Sequence, residues 1–110
     1  AYDLWLVANI KHATLMHAEG IDGAFDLFVS QKLDALACLK PRLLSDVEQL
    51  PGARILDGGF TSVQQAVGTH KANQAGARFL SDFVQHAIMR GDVARLIAKH
   101  AVKGLSVAQA

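Results

Sequence analysis

A chain of 110 residues, 51% of them hydrophobic and 6% aromatic, has material for one core and suits helices packed on a sheet better than an aromatic-rich sandwich. Its 11 basic and 10 acidic side chains leave a formal charge of +1, and without a basic run this excludes a nucleic-acid partner held by counterion release. Cys38 stands alone, so no intrachain disulfide forms, and no run approaches the roughly 18 to 20 apolar residues of a membrane span.

In chain order, Tyr2, Leu6 and Ile10 repeat at i+4 and predict a short helix without a visible N-cap. No cationic stretch or cleavage site of a signal peptide precedes it, so export implies a signal already removed. Residues 13–18 read as a strand that stops at Glu19 and Gly20. Asp22 then caps a second helix, with Phe25, Phe28 and Val29 as its buried stripe and an end near Lys32.

Residues 33–39 are almost continuously apolar after Asp34, the pattern of a central strand covered on both faces. Pro41 fits the first position of a third helix carrying Leu43, Leu44, Val47 and Leu50, which the Pro51 and Gly52 pair ends. Residues 54–56 and 63–67 read as two more strands around a turn at Asp57, Gly58 and Gly59. The polar piece from Thr69 to Gly76 is linker-like. Beyond it Phe79, Leu80, Phe83, Val84, Ala87 and Ile88 make a helical stripe that ends at Gly91, and Asp92 caps a last helix through His100.

The chemistry-bearing residues do not assemble into a catalytic pattern. The five histidines lack HExxH or zinc-type spacing. Gly104, Leu105, Ser106 and Val107 echo a nucleophile elbow, but Ala108 replaces its closing glycine. Cys38 sits in an apolar run, where a thiolate needs a cationic neighbour such as Lys40. Gly58 and Gly59 lack the spacing of a phosphate loop, and the phenylalanine stripes are explained by packing. The expectation is binding without turnover, with no cofactor and no metal. The local feature that points to a ligand is Lys40, beside Pro41 and Arg42 at a strand end and a helix start, where free amides and the helix dipole favour an anion.

Residues 1–6, 23–37 and 60–68, followed by two closing helices, resemble the second lobe of the amino-acid-type, family 3 solute-binding proteins of ABC importers. The most specific stretch is residues 24–37, AFDLFVSQKLDALA, similar to that family's helix followed by a "GxxDAxxxD" strand. The resemblance implies an α/β fold: a three-layer lobe with a mostly parallel central sheet and flanking helices over residues 1–68, then a C-terminal helical pair over 69–110 that packs on a first lobe. It implies a periplasmic protein that captures a small solute between two lobes and hands it to a membrane permease. Ligand contacts are implied at Ala1, Tyr2, Asp3, Leu39, Lys40, Pro41 and Thr61.

Two departures from the family shape that expectation. The Asp that usually holds an amino acid's ammonium is replaced by Leu39 and Lys40, which points to an anionic solute. The strand and Gly-Ser or Gly-Thr turn that precede the family's first helix are missing, which predicts an uncovered sheet edge and self-association into a homo-oligomer. The same fold also serves as the effector-sensing domain of some bacterial transcription regulators, and that is the alternative role.

Overall fold

The computed structural model describes residues 2–109. Among them it contains five helices and no strand: α1 (Tyr2–Asn9), α2 (Gly20–Ser30), α3 (Lys40–Val47), α4 (Gln74–Met89) and α5 (Asp92–Lys99). The described residues are therefore all-helical, and the expected α/β lobe with a parallel central sheet is corrected.

The reason lies in the four segments read as strands. Residues 13–18, 33–39, 54–56 and 63–67 run as irregular chain, and no backbone hydrogen bond joins any of them to another among the described residues. A strand is stabilised by its neighbours through cross-strand pairs of β-branched and aromatic side chains. Residues 33–39 contain none of these types, and the apolar run is continuous only because Ala35 and Ala37 are counted in it. Both alanines are exposed, while Leu33, Leu36 and Cys38 are half-buried. The segment needs one covered side, not two.

The helices follow their sequence signals more closely. Asn73 caps α4, its Oδ1 accepting the Gly76 amide at 2.9 Å. Its own amide donates to the His70 carbonyl at 2.8 Å, so the polar piece from Thr69 to Gly76 is a turn and a helix start. Gly91, at φ 76°, closes α4 in the left-handed region and is also the residue from which α5 begins. Asp92 is thus the first residue of α5, not its cap. In α2 the N-cap is Glu19 without a side-chain bond, and Asp22 lies in the first turn. In α3 the N-cap is Leu39 and Pro41 is the second helical residue.

The chain divides into two units, Ala1–Val63 and Gln64–Ala110. In the first, Tyr2 and Trp5 on α1 meet Phe60, ring centroids 5.6 and 5.2 Å apart. In the second, α4 packs against α5. No apolar side chain among the described residues is buried, and the one buried residue is Asp46, 4% exposed. Helical stripes are half-covered, as for Leu80, Val84 and Ile88 on α4, or left in solvent, as for Phe79 and Phe83. No helix among the described residues is long and apolar enough to cross a membrane.

Candidate binding groove

The sequence-predicted site residues fall in three places within the first unit, and Ala1 lies outside the described residues. Tyr2 rests on Phe60, and burial followed by the neighbouring Cys38 pushes its phenol up from the ordinary value. Asp3 is exposed and meets His17 Nδ1 at 2.6 Å, while Thr61 is exposed in irregular chain. Leu39, Lys40 and Pro41 form the start of α3, and Lys40 is exposed without a carboxylate partner among the described residues.

The charged cluster on α3 is built by Arg42, not Lys40. Its Nε donates to Asp46 Oδ1 at 2.7 Å and its Nη1 to Asp22 Oδ1 at 2.6 Å, and the guanidinium lies over the Phe25 ring at 5.7 Å. Asp46 and then Asp22 raise the Arg42 pKa further above its ordinary range. With two carboxylates on one guanidinium, the cation is spent inside the fold, and it offers little to an anion. Asp46 Oδ2 is buried without a hydrogen-bond partner.

Cys38 reads the same cluster as a spectator. Burial raises its thiol; the Leu39 amide and the Arg42 charge pull it down, Asp46 pushes it up again, and the sum lies above the ordinary value. A thiol held protonated is a poor nucleophile. The cationic neighbour exists, but its charge is answered by Asp46.

The second unit holds a groove of about 700 Å³ between α4 and the irregular chain that precedes it. Leu80, Val84 and Ile88 form one side, spaced i, i+4, i+8 on a single face of α4. Residues 65–71 form the other. The turn described above fastens that wall to the helix: Asn73 Nδ2 donates to Thr69 Oγ1 at 3.5 Å, and the Ala72 amide donates to His70 Nδ1 at 3.2 Å. Because Nδ1 accepts, the neutral His70 ring carries its proton on Nε2.

The groove's electrostatics have one sign. Lys71 and Arg78 line it, no Asp or Glu does, and among the described residues no carboxylate pairs with either cation. Residues 64–110 carry six Lys and Arg against two acids, Asp82 and Asp92, a net of +4, whereas residues 1–63 carry five against eight, a net of −3. Asp92 is already engaged at 3.0 Å by Arg90 and at 2.5 Å by Arg95. Burial works to raise its carboxyl, but Arg90 and Arg95 outweigh that effect and hold it below the usual carboxylate value. Ser81 and His70 both line the groove, yet no hydrogen bond joins them. No group of three or more His, Cys, Asp or Glu suited to a metal ion occurs among the described residues.

These groove residues were missed in reading the sequence, although a signal was present. From Gly58 to Ser81 the sequence contains no Asp or Glu while it contains His70, Lys71 and Arg78. Overall charge conceals this because the two halves nearly cancel. No family model, no curated protein and no solved structure matches the chain.

Proposed function

We propose that this chain binds a small anionic solute, without turning it over, in the groove beside α4. The observation that carries the reading is a concavity of about 700 Å³ lined by Lys71 and Arg78 and by no carboxylate. Its volume falls in the range of small-molecule sites, roughly 300 to 1,000 Å³. Arg78 supplies a planar donor fork suited to a carboxylate, and Lys71 a mobile point charge. Both precede the Leu80, Val84 and Ile88 row on α4.

This reading keeps the solute capture implied by the likeness to importer-binding proteins and the anionic preference drawn from Lys40, where the chain departs from that family, and it moves the site from Lys40 to Arg78. A role in import rests on that likeness alone. The test is isothermal calorimetry on the full chain with acetate, succinate and ethylammonium as probes. Either anion should bind more tightly than ethylammonium, weaken as salt is raised, and lose about three- to tenfold in affinity in Arg78→Gln. Tighter binding of ethylammonium, or anion binding unchanged in both Arg78→Gln and Lys71→Gln, would overturn it.

A further inference from the structure

The groove is not only cationic. Leu80, Val84 and Ile88 lie in one row over two helical turns, about 12 Å from first to last at 1.5 Å per residue. They are half-buried, so one side of the row is still open along the groove. Lys71, just before α4, and Arg78, in its second turn, precede that row in the chain and line the same groove, as does His70. A small hydrophilic anion would satisfy the cations and leave the row wet. Unpaired cations and a row of aliphatic side chains lining one groove are the complement of an amphiphile.

We propose that the solute is a free medium-chain carboxylate, its head against Arg78 and Lys71 and its alkyl chain along Leu80, Val84 and Ile88. This rests on the reading of the groove as an anion site, and it adds the chain. Charge complementarity selects the head: a cationic amphiphile would face Lys71 and Arg78 with no carboxylate in the lining to receive it. The row of three aliphatic side chains selects the tail, since each methylene removed from water strengthens binding about fourfold. Other apolar surface on this unit does not serve: Phe79 and Phe83 stack on each other at 6.4 Å on the outside of α4 and are absent from the groove lining.

The experiment is calorimetry of the full chain with decanoate below its micelle concentration, beside acetate and decanol. Decanoate should bind at least a hundredfold more tightly than acetate and about tenfold more tightly than decanol. Arg78→Gln should weaken it about three- to tenfold and Val84→Glu should abolish it, while Phe79→Ser leaves it unchanged. Decanoate-induced amide shifts in NMR spectra of the unaltered protein should be confined to residues 65–71 and 74–88, which keeps the test decisive if Val84→Glu unfolds α4. Equal affinities for acetate and decanoate would refute the amphiphile and leave the anion site standing. Equal affinities for decanol and decanoate, or binding abolished by Phe79→Ser, would refute both. Binding to phosphatidylglycerol vesicles without binding of decanoate would replace the free solute by a membrane surface, and a dimer that Val84→Glu dissociates, again without decanoate binding, would replace it by a second copy of the chain.

Discussion

Three helices end on a residue in the left-handed region, and only one of them ends on glycine. Gly91 after α4 has φ 76°, whereas Lys32 after α2 and Ala101 after α5 both have φ 50°. The bonding at the two non-glycine ends is the same. The Lys32 and Leu33 amides donate to Val29 and Phe28 carbonyls at 3.3 and 3.0 Å, and the Ala101 and Val102 amides donate to Ala98 and Ile97 carbonyls at 3.1 and 3.1 Å. Each is the paired closure that satisfies orphan carbonyls of a last turn. A residue with a Cβ pays about 1 kcal/mol or more to hold that backbone geometry, and glycine returns part of the gain by loosening the unfolded chain, about 0.4 to 1 kcal/mol. Lys32→Gly and Ala101→Gly should therefore each stabilise by about 0.5 kcal/mol, up to about 1, and Gly91→Ala should destabilise by about 1 kcal/mol or more. In domains of this size 0.5 kcal/mol moves a melting temperature by about 2 to 4 °C. Thermal unfolding followed by circular dichroism at 222 nm reads all three. If the three substitutions shift Tm in the same direction, the left-handed closures are not what ends these helices.

Two further outcomes follow from the buried and paired carboxylates. Asp46→Leu should cost about 1 to 3 kcal/mol in urea unfolding, because it leaves the part-buried Arg42 Nε without its acceptor; a neutral or stabilising result would show that burying Asp46, with one unpartnered oxygen, outweighs that bond. The Asp92 carboxyl in the folded chain lies below its unfolded value, so its contribution is complete above about pH 4 and is lost as pH falls through the folded pKa. Helicity in residues 64–110 should accordingly decline with acid over a window that narrows in Arg95→Gln, and an unchanged acid profile in that variant would contradict the pairing.

Helices were legible in the sequence because their signals are local. The row at Leu80, Val84, Ala87 and Ile88 and the glycine at 91 need no partner elsewhere in the chain to be recognised, and the body and end of α4 lie where they predict, although the helix starts at Gln74 inside the piece read as a linker. Residues 33–39 were misread because a run of apolar letters does not distinguish alanine, which is indifferent to burial, from the β-branched residues that give a strand its cross-strand packing. The groove was illegible for a different reason. Its apolar side was assigned to packing, and its cations are spread over residues 71–78 at no motif spacing. What would have pointed to it is the absence of acids over residues 58–81, a signal carried by residues that are not there.

The lack of any buried apolar side chain among the described residues bears directly on how the groove would work. Helices of 8 to 16 residues are marginal in water on propensity alone and depend on covering one face. In α4 that face is the row at Leu80, Val84 and Ile88, faced by residues 65–71 across the groove. An alkyl chain laid there would cover the same atoms that α4 needs covered. Binding would then add to the stability of the folded form, since a solute that binds only that form stabilises it by RT ln(1 + [L]/Kd). The wall of the groove is held to α4 by the Asn73 cap, the bond from Asn73 to Thr69 and the His70 turn. On the proposed reading, a bound solute would cover the row that α4 leaves open, and selectivity would arise from which solutes supply both a charge for Arg78 and apolar cover for Leu80, Val84 and Ile88.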